Sequence, residues 1–121
     1  MSEFCKLYGN TLRNKVLEHI VELDNLDFAV SDILDFINIS KPKLYQIIKE
    51  LEKDKLIKKS RIVSSTQLYK LNKTNLNTKI LIQSFNNCIN KTIEELDKPT
   101  LNKLKQLIHN KQVIVVSMNN T

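Results

Sequence analysis

The side chains of this sequence that could do chemistry are cations grouped in one stretch. Residues 1–40 carry three basic side chains against seven acidic ones, a net of −4. Residues 41–79 carry eleven basic against three acidic, a net of +8, and the remainder carries five against three, a net of +2. A cationic block inside a folded segment suits a polyanionic partner, because each neutralised phosphate releases counterions. Charge alone leaves DNA, RNA and an acidic protein open. The histidines and cysteines offer less. His19 and His109 each lie in a helical pattern with no second ligand at metal spacing on the same face, so a metal site is not expected. Cys5 and Cys88 lack CxxC spacing, which fits a reducing compartment, and Cys88 falls on an apolar helix face as a small buried hydrophobe. Gly9 is the one glycine, so no glycine-rich phosphate loop exists. With no nucleophile or acid–base set either, an enzyme is not expected, nor is a cofactor.

The elements that must position the cations are legible from periodicity. Leu12, Val16, Ile20 and Leu23, widened by Leu17 and Val21, give an amphipathic helix that Asn10 or Thr11 can cap. Phe28-Ala29-Val30 suits a short edge strand or a staple. Ser31 as a cap and Asp32 in the first turn then open a helix of about two turns through Ile33, Leu34, Phe36 and Ile37. Asn38-Ile39-Ser40 is a tight connection. Ser40 caps a third helix with Pro42 in its first turn, where the missing N–H costs nothing. Leu44, Ile47, Ile48 and Leu51 form its buried stripe. At 100° per residue, Pro42, Gln46, Lys49 and Lys53 lie within about 40° of the opposite direction, flanked by Lys43 and Tyr45.

Beyond Leu56-Ile57 the period changes. Lys58 to Val63 and Gln67 to Leu71 read as a hairpin around Ser64-Ser65-Thr66, without glycine at the turn. Lys73 to Thr78 reads as a polar linker, followed by a helix from about Leu76 to Leu96 with the stripe Leu81, Phe85, Cys88, Ile89, Thr92 and Leu96. Pro99 interrupts it. A last helix spans about Thr100 to Asn110 through Leu101, Leu104, Leu107 and Ile108, and Val113 to Val116 is a strand-like run. Hydrophobic residues at 41% and charged ones at 26% are an ordinary globular balance over 121 residues. No leader or membrane span is apparent, and a cytoplasmic protein is expected.

The order helix, short strand, helix, tight turn, helix, hairpin resembles a winged helix-turn-helix, a mainly α (α+β) fold. The segment Ile39-Ser40-Lys41-Pro42-Lys43-Leu44-Tyr45-Gln46-Ile47-Ile48-Lys49-Glu50-Leu51-Glu52-Lys53-Asp54-Lys55-Leu56-Ile57 looks like the recognition-helix segment of prokaryotic regulators of the ArsR and MarR kind, especially archaeal ones. Those regulators typically end it in Leu-Glu-x-x-Gly-Leu-Ile. Lys55 stands in place of the glycine, where a left-handed backbone is often needed. Gln67-Leu68-Tyr69-Lys70-Leu71 resembles the returning strand of the wing.

The likeness covers residues 11–72 and implies a DNA-binding domain over residues 1–72, with a C-terminal helical region over 73–121 for dimerisation. It implies a recognition helix over about 41–54 in the major groove, with Lys41, Lys43, Tyr45, Gln46, Lys49 and Lys53 facing DNA. The wing, residues 58–71, would bring Arg61, Ser64 and Ser65 to the backbone or minor groove. Gln46 can offer a donor and an acceptor to adenine, Tyr45 can stack or bind phosphate, and lysines mostly touch phosphates. The apolar stripe of the C-terminal helix could pack back on the first helix or pair with a second copy; a homodimer is expected, joined through Leu81, Phe85, Ile89 and Leu96. No residue set identifies a small-molecule effector. The rival readings are a winged helix used as a protein-interaction module and a non-specific chromatin protein.

Overall fold

A computed structural model describes residues 1–95, 99–100, 102–103 and 105–107. The chain forms two compact units, Met1–Cys88 and a second beginning at Ile89. The expected boundary near residue 72 falls inside the first. That unit opens with a helix that no sequence pattern announces, α1 (Glu3–Tyr8). The Ser2 hydroxyl caps it, accepting from the Cys5 N–H at 3.1 Å, and donates to the Glu18 carboxylate at 3.0 Å. Gly9 ends it at φ 114°, a backbone that side-chain-bearing residues rarely adopt. The Asn14 amide closes the corner by donating to the carbonyls of Tyr8 (3.2 Å) and Gly9 (2.9 Å).

Helix α2 (Leu12–Leu23) starts on Thr11, whose hydroxyl accepts from the Asn14 N–H, and buries Val16, Leu17, Ile20 and Val21. Strand β1 (Phe28–Ala29) leads into α3 (Val30–Leu34). Here Ser31 is not the cap. Burial of Val30 sets the start of the helix two residues earlier, with Ala29 at the cap position, and the Asp32 carboxylate accepts from the Ala29 N–H at 3.0 Å. The helix also ends sooner than expected, at Leu34. Phe36 consequently leaves the core, 72% exposed, and stacks on His19 with ring centroids 4.9 Å apart.

Helix α4 (Lys41–Lys53) begins at Ser40, whose hydroxyl accepts from the Lys43 N–H at 3.3 Å. Leu44, Ile47, Ile48 and Leu51 are buried, as their spacing requires. The helix closes in a Schellman motif. The Leu56 N–H donates to the Leu51 carbonyl and the Lys55 N–H to that of Glu52, both at 3.0 Å, with Lys55 at φ 61°. The left-handed position read from the missing glycine is therefore real, and an L-residue there costs about 1 kcal/mol. Lys55→Gly is expected to raise stability by roughly that amount, visible as a thermal midpoint several degrees higher. An unchanged or lowered midpoint would contradict this account of the helix end.

Strands β2 (Ile57–Val63) and β3 (Thr66–Leu71) form the hairpin, joined through Ser64 and Ser65 at φ 49° and 66°. Two consecutive positive φ values are the backbone of a type I′ turn, which matches strand twist and usually recruits Asn-Gly. Antiparallel pairing gives the order β1-β3-β2, with Phe28 opposite Tyr69 and Ile57 opposite Leu71. The register slips between Lys59 and Ile62.

Residues 73–78 do not behave as a linker. The Asn72 N–H and the Thr78 hydroxyl both donate to the Leu56 carbonyl (2.9 and 3.4 Å), and Thr78 is fully buried at the start of α5 (Leu76–Glu94). Phe85 and Cys88 of α5 bury in the core of the first unit. The expected strand at Val113 to Val116, with His109 and the apolar residues Leu101, Leu104 and Ile108, lies outside the described residues. Pro99, Thr100 and residues 102–103 and 105–107 are helical.

Candidate nucleic-acid interface

Burying Leu44, Ile47, Ile48 and Leu51 commits the opposite side of α4 to solvent. Lys41, Lys43, Tyr45, Gln46, Lys49 and Lys53 all lie off the buried stripe and are exposed. They share one helix, with Gln46, Lys49 and Lys53 on the outward arc, Lys43 at its flank and Tyr45 toward the hairpin. Tyr45, Ser31, Ser65, Thr66, Gln67 and Tyr69 line a groove of about 240 Å³, so α4 and the hairpin are continuous there. Burial, followed by the charge of Glu52 and then Tyr45, pushes the Tyr69 hydroxyl above its ordinary pKa.

Arg61 is fixed by a residue that sequence reasoning missed. Its Nε donates to the Asp27 carboxylate at 2.9 Å, and the Ser60 hydroxyl donates to the same oxygen at 3.0 Å. Arg61 is nonetheless 67% exposed in its side chain, and its guanidinium carries Nη1 and Nη2 donors besides the Nε that Asp27 engages. Asp27 lies 34 residues from Arg61, so no local pattern signals the pair. Ser64 and Ser65 are exposed at the tip of the hairpin.

The hydrogen bond from Arg61, followed by that from Ser60, holds the Asp27 carboxyl below its ordinary value of 3.8. Because the folded value is the lower one, this contribution is complete above about pH 5 and disappears as pH falls through the lowered value. Asp27→Asn is therefore expected to flatten part of the acid limb of stability, and unfolding curves recorded from pH 2 to 7 check this. An acid limb identical to that of the parent would remove Asp27 from the account.

The residues expected at a dimer interface are scattered. Phe85 is buried within its own chain, edge-on to Phe4 at 6.2 Å, and Leu81 is half-buried against the same core. Ile89 is 44% exposed, and Leu96 lies outside the described residues. Exposed apolar side chains occur elsewhere on the same helices, at Leu7 and Tyr8 of α1 and at Leu76 and Ile80 of α5. Among the described residues no group of three His, Cys, Asp or Glu side chains converges on a metal position. No helix among them is long and apolar enough to cross a membrane.

The fold is shared with solved structures of transcriptional regulators. MepR from Staphylococcus aureus, as a single-residue mutant from a multidrug-resistant clinical isolate, superposes with a TM-score of 0.58 at 13% identity, over 96% of this chain and 84% of that one. Another MepR mutant, bound to an oligodeoxyribonucleotide, gives 0.54 at 14% identity over 97% and 86%. A putative MarR family transcriptional regulator from Clostridium acetobutylicum gives 0.51 at 15% identity over 91% and 82%. The chain thus has the winged-helix architecture of MarR-type regulators. No protein-family model matches the sequence, and no curated protein does.

Proposed function

We propose that this chain is a duplex-DNA-binding transcriptional regulator, with α4 in the major groove and the β2–β3 wing on the adjacent backbone or minor groove. The observation that carries the reading is the exposed cationic face of α4 running into a wing whose Arg61 is held ready by Asp27. Lys41, Lys43, Lys49 and Lys53 bind phosphates, Gln46 and Tyr45 meet the bases or sugar edges, and Arg61, Ser64 and Ser65 meet the backbone beside the groove. The solved winged helix bound to an oligodeoxyribonucleotide supports a nucleic-acid partner over a protein one. No part of this reading requires catalysis, a cofactor or a metal.

A homodimer belongs to the same proposal. One recognition helix covers only a few base pairs, and two related by a twofold axis read half-sites about one helical turn apart. With Phe85 and much of Leu81 packed within the chain, Ile89 and the exposed apolar residues of α1 and α5 are left for the partner copy. Selection from random duplexes at two salt concentrations tests both parts. Salt-sensitive binding and an enriched inverted repeat are expected. Equal affinity for all sequences would indicate a chromatin-type protein, and no duplex affinity would overturn the reading. Sedimentation as a monomer at micromolar concentration would remove the dimer.

A further inference from the structure

Gln46 does not stand free on the reading face. Its Nε2 donates to the Glu50 carboxylate at 3.2 Å, one turn further along α4. Both side chains are exposed, and at 100° per residue they sit on the arc away from Tyr45 and the wing. A carboxylate only accepts, so the amide of Gln46 must present its nitrogen and not its oxygen to Glu50. An acidic side chain here also weakens attraction to phosphate, beside Lys43, Lys49 and Lys53, and so its presence calls for a role other than affinity.

We infer that Glu50 is a positioning residue for sequence reading: it fixes the amide orientation of Gln46 so that the DNA-facing edge offers one acceptor and one donor, the pattern that adenine complements. With one Nε2 proton engaged by Glu50, Oε1 is left to accept from adenine N6 and the second Nε2 proton to donate to N7. Without Glu50 the amide turns freely and must be ordered on binding, and the flipped form presents its groups to the wrong edge. Glu50 thereby lowers affinity and raises discrimination. This inference rests on the proposal that α4 reads duplex DNA.

Site selection from random duplexes with the full chain tests it, comparing the parent, Gln46→Ala, Glu50→Ala and the double variant. Both positions are exposed, so folding is expected to survive, and circular dichroism checks this. In the parent one position of each half-site is expected to favour adenine about tenfold. Gln46→Ala removes that preference, and Glu50→Ala removes most of it while raising affinity for unselected duplex several-fold. In the Gln46→Ala background, Glu50→Ala should change affinity but no base preference. An adenine preference untouched by Glu50→Ala, or a Gln46-dependent preference for another base, overturns the inference and leaves the DNA-binding reading standing. Absence of any duplex binding by the parent overturns both.

Discussion

Replacing Lys43 and Lys49 together with glutamate is expected to lower affinity for duplex DNA by more than about a hundredfold near 0.1 M salt, with thermal stability unchanged. Each reversal removes a cation from the phosphates and installs a repulsion within a Debye length of the backbone, so the charge of one helix face changes by about four units. Both side chains are exposed and neither contributes to the buried stripe of α4, which is why the fold should not notice. The salt slope should fall as well, by roughly one for each phosphate that is no longer neutralised. Fluorescence anisotropy with a labelled random duplex, paired with a thermal melt, reads both quantities. Parental affinity in the variant would mean that α4 is not the docking face and would favour a protein partner for this fold.

Leu44→Ala should do the reverse. Leu44 is wholly buried, in one core with Ile47, Ile48, Leu51 and the apolar residues of α2. Removing three carbons from a close-packed site costs about 3 kcal/mol, through the missing transfer energy and the cavity left behind. The thermal midpoint is expected to drop on the order of 10 °C or more. Affinity for DNA, measured well below that midpoint, should decline far less than in the double lysine variant, because every side chain proposed to meet phosphate is kept. A midpoint within a degree or two of the parent would show that this position is not core. The two variants separate what holds α4 from what α4 touches.

Helix α4 is legible in the sequence because several local signals agree. Ser40 caps, Pro42 suits a first turn, the apolar stripe has helical spacing, and these place the lysines outward by geometry alone. The hairpin is legible from its change of period, although its turn lacks the usual glycine and relies on two serines at positive φ. The left-handed Lys55 can be expected only through the likeness to regulators that carry glycine there.

What escapes the sequence depends on partners far along the chain. Helix α1 is too short for a periodic signal and is held by Ser2 to Glu18 and by Asn14 to Tyr8 and Gly9. Phe36 has the spacing of a core residue, but α3 ends two residues before it. Phe85 has the spacing of a residue free for a partner copy, but Phe4 of α1 covers it. In the interface the lysines, Tyr45 and Gln46 follow from helix geometry, whereas the Asp27 carboxylate that fixes Arg61 does not. A side chain selected by a tertiary contact leaves no trace in local pattern.

The central claim is that DNA lies along the outward face of α4 and the tip of the wing. Amide chemical-shift mapping of the full chain during titration with a short duplex tests it most directly. The largest shifts are expected at residues 40–50 and 61–66, with residues 3–8 and 76–86 little changed. Shifts concentrated in α1 and α5, with α4 unmoved, would contradict it.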